Sequence, residues 1–300
     1  MSVHERRVLS IQIHVVSGYI GNKAAVFPMQ VLGYEVDIIN AMQQCTNIAY
    51  KVWNDGQILN GNDLKRLYDC IKQNDINIYS HILTGGVGSP SFLREIVQVV
   101  KDAKQANPNV IYLCDPVMGD NGCYYVPEEL MPIYRDELLP LADIITPNQF
   151  EAELLSGTKI TNEEEALKAT QFLHDKGVKT VILSSYETGN ENTLTLIGTQ
   201  IKDGKKTGFK IEYPKVEMSF KGTGDVFSAL LLVWSHRYPD NLQFACEQAL
   251  STMQAILQRT CKQAKLSPTP AGSELRIIDS KVDIENPPES VNIKGAVLSF

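Results

Sequence analysis

The stretch Phe220 to Leu232 reads Phe-Lys-Gly-Thr-Gly-Asp-Val-Phe-Ser-Ala-Leu-Leu-Leu and concentrates the chemistry of this chain. Gly222 and Gly224 flank Thr223, Asp225 follows at once, and an apolar helical run begins behind it. A turn of this kind opens a helix with several unpaired backbone N–H groups facing outward, which suits an anion. Asp225 stands where a carboxylate could accept the proton of a hydroxyl being phosphorylated. An anion cradle beside a base is what phosphoryl transfer to an alcohol needs, because that chemistry is mostly positioning and charge stabilisation. The same residues also fit a plain tight turn with Thr223 or Asp225 as helix N-cap. No Gly-Lys-Ser/Thr follows the glycines, so the loop is not of the Walker type.

Other polar motifs fall at the ends of predicted strands. Asp115 to Asp120 (Asp-Pro-Val-Met-Gly-Asp) follows a buried apolar run, where a carboxylate can organise a divalent cation or its waters beside phosphates. An Asx-turn explains the same aspartate without any ligand. Thr146-Pro147-Asn148-Gln149-Phe150-Glu151 follows the next strand. There Asn148 and Glu151 either form a capping box or face a metal and phosphates as well. Ser184-Ser185 ends a further strand, a weaker signal. The argument for a site is convergence of all these groups on one rim of one sheet.

The elements that place them there alternate between short apolar runs and helical periods. Strands are predicted at Arg7 to His14, Tyr34 to Asn40, Tyr79 to Thr84, Val110 to Asp115, Leu141 to Thr146 and Thr180 to Ser185. Helices are predicted at Lys23 to Leu32, Asp63 to Gln73 with Asp63 near its cap, Pro90 to Ala106, Asn162 to Lys176, Gly222 to His236 and Asn241 to Cys261. Thr193 to Ile201 and Gly208 to Pro214 read as an antiparallel pair joined by Asp203-Gly204-Lys205-Lys206. Asn47 to Trp53 reads as extended, within a lid spanning about residues 42–60. Leu275 to Ile278 reads as a short strand in a C-terminal loop-and-strand segment, 264–300. The pattern predicts one α/β domain over residues 1–300, with a doubly wound, mostly parallel sheet binding ligands at the carboxyl ends of its strands.

Bulk properties agree with a soluble globular protein. Hydrophobic residues make up 43% of the 300 and charged residues 21%, which is ordinary for that class. The net charge of −7 argues against a general nucleic-acid or anionic-membrane binder. The beginning of the chain carries no signal-peptide core, and no apolar run is long enough to span a bilayer. The expectation is a cytosolic protein. The cysteines (Cys45, Cys70, Cys114, Cys123, Cys246, Cys261) show no Cys-x-x-Cys spacing and are expected to be reduced.

The Gly222 to Asp225 turn resembles the anion-hole motif of the ribokinase-like superfamily. The resemblance is closer still to the pyridoxal kinase family and covers almost the whole chain. It is carried by Arg7 to Gln12, Gly18 to Ala25, Phe27 to Gly33, Asp115 to Asp120, Pro140 to Gly157, Gly222 to His236 and the tail Glu274 to Pro287. It implies ATP-dependent phosphorylation of the 5′-hydroxyl of pyridoxal, and usually of pyridoxine and pyridoxamine. On matching positions it implies Asp225 as base and the N–H groups of Gly222, Thr223, Gly224 and Asp225 as the anion hole. Asp115, Asn148 and Glu151 would serve ATP and its divalent metal, Mg²⁺ or Zn²⁺, with Asp115 and Glu151 acting partly through water. Asp120, Thr146 and Ser184 would surround K⁺ or Na⁺. Ser184, Ser185 and Thr223 would contact the nucleotide phosphates, and Val216, Glu217 and Met218 would border the adenine. Ile13, Tyr19, Ile20, Ile48 and Asp225 fall on the vitamer side. The family is typically a cytosolic homodimer.

The vitamer side departs from the family pattern. Ile13 replaces a usual serine. The lid reads Thr46-Asn47-Ile48-Ala49-Tyr50 in place of Asn-His-Thr-Gly-Tyr, which puts Ile48 where a threonine packs on the pyridine ring. Gly85 to Ser89 lacks the aromatic hydroxyl of the usual Thr-Gly-Tyr, and Lys221 stands for a small apolar residue. Loss of polar contacts reduces discrimination between substrates. Three readings follow: a pyridoxal kinase with shifted vitamer preference, a kinase for another small hydroxymethyl heterocycle, and a nucleotide-binding regulatory paralogue.

Overall fold

The computed structural model describes residues 6–53, 55–187, 189–289 and 293–298. The strands, in chain order, are β1 (Arg7–Val15), β2 (Glu35–Gln44), β3 (Gly56–Ile58), β4 (His81–Thr84), β5 (Ile111–Cys114), β6 (Gly119–Asp120), β7 (Cys123–Tyr124), β8 (Ile144–Ile145), β9 (Thr180–Tyr186), β10 (Thr193–Lys202), β11 (Lys205–Pro214) and β12 (Lys294–Val297). The helices are α1 (Asn22–Val31), α2 (Gly61–Gln73), α3 (Pro90–Ala106), α4 (Leu130–Ile133), α5 (Gln149–Ser156), α6 (Glu163–Asp175), α7 (Thr223–Arg237), α8 (Leu242–Leu266) and α9 (Lys281–Glu285).

Ten strands form one sheet in the order β12-β11-β10-β9-β8-β5-β4-β1-β2-β3, and β6 pairs with β7 in a separate ribbon. The centre, from β2 through β1, β4, β5 and β8 to β9, is parallel throughout. Both edges are antiparallel: β3 on one side, β10 to β12 on the other. Neighbouring residues of the central strands enter opposite cores. Val8, Leu83, Leu113, Ile144 and Ile182 pack with α1, α7 and α8. Leu9, Ile82, Tyr112, Ile145 and Val181 pack with α2, α3 and α4. Coverage of both faces is why these strands are apolar at nearly every position. Helix α7 is buried without a break from Val226 to Trp234. A helix apolar all round belongs in an interior, and this one lies between α1, α8 and the sheet.

Three expectations need correction. Residues 46–53 are turns and bends rather than an extended lid strand, and only Gly56–Ile58 pairs with β2. The Asn47 side chain accepts the N–H of Ala49 at 3.0 Å, a local turn that competes with pairing. Asp63 lies beside the α2 cap as expected: Asn60 is the N-cap, and Asp63 returns a bond to the Asn60 N–H at 2.9 Å. The β10–β11 turn is two residues, Asp203 (φ 52°) and Gly204 (φ 74°), and both lie in the left-handed region as a tight hairpin requires. Leu275 to Ile278 forms no strand: Leu275 and Ile277 are buried against α7 and α8, and a 3₁₀ turn begins at Ile278.

Candidate active site

The carboxyl ends of β5, β8 and β9 and the N-termini of α5 and α7 meet at one rim of the sheet. A cavity of about 920 Å³ opens there. Asp120, Thr146 and Asn148 line one side of it, and Ser184 and Ser185 another. Val216, Glu217 and Met218 line a third, while Thr223 and Gly224 close the end at α7. Leu194, Phe227, Leu250, Met253 and Leu257 add an apolar wall that suits a flat ring.

Each polar group is set by local structure. Asn148 caps α5, and its side-chain Oδ1 accepts the Glu151 N–H at 2.9 Å. Glu151 returns the bond, taking the Asn148 N–H at 3.0 Å and the Met118 N–H at 2.9 Å. The Asn148 amide donates to the Gly119 carbonyl at 2.8 Å, which fixes the β6–β7 ribbon against α5. The Ser184 hydroxyl donates to the Pro147 carbonyl at 3.2 Å, and the Tyr213 hydroxyl holds the Ser184 carbonyl at 3.0 Å. Asp120 folds back on Asn121, accepting its backbone N–H at 2.9 Å.

Asp115 and Glu151 lie beneath the cavity, at 4% and 3% exposure, and do not line it. The Ser228 hydroxyl donates to Asp115 at 3.0 Å and shares a hydrogen bond with Thr146 at 2.9 Å. Burial, then the charges of Glu151 and Asp225, push the Asp115 carboxyl well above the ordinary range. Burial raises Glu151 too, against three backbone N–H donors that pull it down. Burial lifts Asp225 to about 6, although the Gly21 N–H stabilises its charge. Three carboxylates thus share a site short of positive charge. Among the described residues no three His, Cys, Asp or Glu side chains form a metal ligand set. A divalent cation fits this arrangement only by taking further ligands from phosphate and water, and both Glu151 oxygens are already engaged by N–H groups.

Ile13, Tyr19, Ile20 and Ile48, expected to face a substrate, do not line the cavity, and Tyr19 meets the α7 turn beside it. Gly222, at φ 84°, presses its backbone so close to the Tyr19 carbonyl that a Cβ would stand 2.1 Å from that oxygen. Only glycine fits there. The Ile13 N–H donates to the Gly86 carbonyl at 2.8 Å, and the Ile13 side chain covers Gly86, with Cγ2 3.1 Å from where a Cβ would sit. Asp225 follows two cavity-lining residues and accepts the Gly21 N–H from the loop after β1, so it joins the two sides.

Sequence reasoning missed three groups. Ser228 left a trace, a hydroxyl one turn beyond Asp225 in an apolar helix. Tyr213 left only its place in a strand. Glu274 left none as a contact: its carboxylate takes the Tyr19 N–H at 2.9 Å, 255 residues away, and the Asn47 amide at 2.8 Å. Tyr50 also hydrogen-bonds it. One side chain therefore ties Tyr19 and the chain around Ile48 to the C-terminal segment.

The doubly wound sheet with a glycine-framed turn opening a buried helix defines a ribokinase-like small-molecule kinase. The profile of the phosphomethylpyrimidine kinase family matches residues 77–267. Bovine pyridoxal kinase is 48% identical over 94% of this chain and 96% of its own length. The Arabidopsis thaliana pyridoxal kinase is 49% identical over 94% of this chain and 92% of its own. The Leishmania donovani pyridoxal kinase in complex with ADP and pyridoxamine superposes with a TM-score of 0.92 at 30% identity, covering 98% of this chain and all of that one. The chain belongs to the pyridoxal kinase family.

Two outcomes follow from the geometry. Glu274→Ala should speed amide exchange in residues 17–20 and 46–50 together by about tenfold or more, the effect of one lost charge-assisted hydrogen bond. Exchange rising in one segment alone would separate them. The second concerns pH. A carboxyl raised in the folded state holds extra protons between its ordinary and its raised pKa, so its contribution to stability falls as pH rises through that window. Asp115→Asn should therefore raise the melting temperature of ligand-free protein at pH 8 by a few degrees and leave it nearly unchanged at pH 5. A decrease at pH 8 would show that the lost hydrogen bonds outweigh the charge.

Proposed function

We propose that this chain transfers the γ-phosphoryl group of ATP to the 5′-hydroxyl of pyridoxal, and of pyridoxine and pyridoxamine, as a cytosolic homodimer. The observation that carries this is the place of Asp225: it sits at the first turn of α7, between the cavity and the loop carrying Tyr19 and Ile20. The adenine lies along Val216, Glu217 and Met218, and the phosphates run past Ser184, Ser185 and Thr223 toward the α7 turn. The vitamer lies against Ile13, Tyr19, Ile20 and Ile48, its hydroxymethyl group directed at Asp225.

Asp225 takes the hydroxyl proton as the oxygen attacks the γ-phosphorus and ADP departs. The N–H groups of Gly222, Thr223, Gly224 and Asp225 hold the charge on the transferring oxygens, fixed in direction before the reaction begins. A divalent cation, Mg²⁺ or Zn²⁺, beside Asp115, Asn148 and Glu151 would supply charge neutralisation of the phosphates. Asp120, Thr146 and Ser184 offer oxygen donors for K⁺ or Na⁺. Asp115 and Glu151 gain the counter-charge that they lack when phosphates and cations arrive together.

Asp225→Ala should abolish turnover with each B6 vitamer, measured by coupled ADP release, while ATP binding persists. In the parent protein kcat/KM for pyridoxal should fall about tenfold per pH unit below roughly pH 6, because a base is active when ionised. A flat profile down to pH 5 would remove Asp225 as the base. Ile13→Ser combined with Ile48→Thr should lower KM for pyridoxal about three- to tenfold by restoring hydrogen-bonding groups to the pocket. An unchanged KM would show that the pocket recognises the ring by other contacts.

A further inference from the structure

The charges that line the cavity are poorly matched to a nucleoside triphosphate. Asp120, Glu153, Glu187 and Glu217 face it, with Asp115 and Glu151 beneath. Three ammonium groups line it: Lys159, Lys215 and Lys221. Two are committed to carboxylates, Lys159 to Glu153 at 2.6 Å and Lys215 to Glu187 at 2.6 Å. Lys221 has no carboxylate partner among the described residues. Its Nζ rests 5.3 Å from the ring centroid of Tyr125.

That ring is held in place. Tyr125 leaves the β6–β7 ribbon with its N–H bonded to the Met118 carbonyl at 2.9 Å, and the Asn148 amide anchors the ribbon to α5. Lys221 immediately precedes Gly222, so its backbone is fixed by the approach of that glycine to Tyr19. The side chain thus reaches from the α7 side of the cavity to the ribbon side. A cation–π contact orients an ammonium group without neutralising it, and leaves its N–H donors for an anion.

We infer that Lys221 is a phosphate-binding residue that grips the terminal phosphate of ATP and makes the cavity prefer the triphosphate to the diphosphate. The inference rests on the kinase reading, in which the terminal phosphate lies at the α7 turn. Lys221 is the cavity-lining cation beside that turn, whereas Lys159 and Lys215 lie on other segments. Placed there, it holds the phosphoryl group while that group carries its full charge, and it has no comparable contact with ADP.

The test is titration calorimetry of ADP and of a non-hydrolysable ATP analogue, each with Mg²⁺, on the parent protein, Lys221→Met and Lys221→Arg. Lys221→Met should weaken the ATP analogue about tenfold or more, as loss of a charge-assisted contact does, and change ADP by less than about threefold. Lys221→Arg should recover most of the difference, and Tyr125→Leu should weaken the analogue in the same sense by a smaller factor. Equal losses for both nucleotides, or no loss for either, would overturn the assignment. Lys221 is half-buried in a loop and packs in neither large core, so melting curves should match the parent. Failure of the parent protein to bind either nucleotide would sink the kinase reading itself, and this inference with it.

Discussion

Three carboxylates forced together under one rim are the constraint around which this molecule is built. Burial raises the pKa of all three, the charges of Glu151 and Asp225 raise Asp115 further, and little in the protein neutralises them. The fold answers with neutral donors in place of cations. Backbone N–H groups of Met118 and Asn148 serve Glu151, the Gly21 N–H serves Asp225, and the Ser228 hydroxyl serves Asp115. Those donors come from the chain just before β6, the caps of α1 and α5, and the body of α7. Bringing them together requires parallel strands that end at one level with helices starting just beyond.

The same arrangement separates two sets of residues. The polar groups in and beneath the cavity are anchored to strand ends and caps, and most of their bonds are to backbone. Ile13 at the end of β1, the loop after it and the turns of residues 46–53 make up the other set. Gly222 against Tyr19 and Asp225 against Gly21 are where the two sides touch.

The sheet is readable from the chain because its physics is local. Runs such as Ile111–Cys114 are apolar at successive positions, and α3 follows a helical period from Pro90 to Ala106. The Asn148–Glu151 capping box is likewise written in four adjacent residues. The misreadings arise where a distant or side-chain partner decides. Asn47 closes a turn on Ala49, so a segment with strand-like residues never meets an edge. Around Leu275 the backbone is satisfied by a side chain, since the Thr260 hydroxyl oxygen accepts the Arg276 N–H at 3.1 Å. For the site, residue types at strand ends point to Asp115, Asn148 and Asp225, whereas the grip of Glu274 on Tyr19 has no local signature.

That grip bears on how the protein acquires its activity. Tyr19 and Glu274 are 255 positions apart, and Gly222 and Tyr19 are also far apart in sequence. Contacts of such sequence separation carry a large closure entropy and form late, after neighbouring strands and helices have found one another. A chain emerging from the ribosome can therefore assemble the β1–β5 half of its sheet well before it owns a working pocket. Tyr19 and Asn47 cannot take up their final hydrogen bonds until the segment carrying Glu274 has docked, so the two ends of the sequence complete this part of the molecule together.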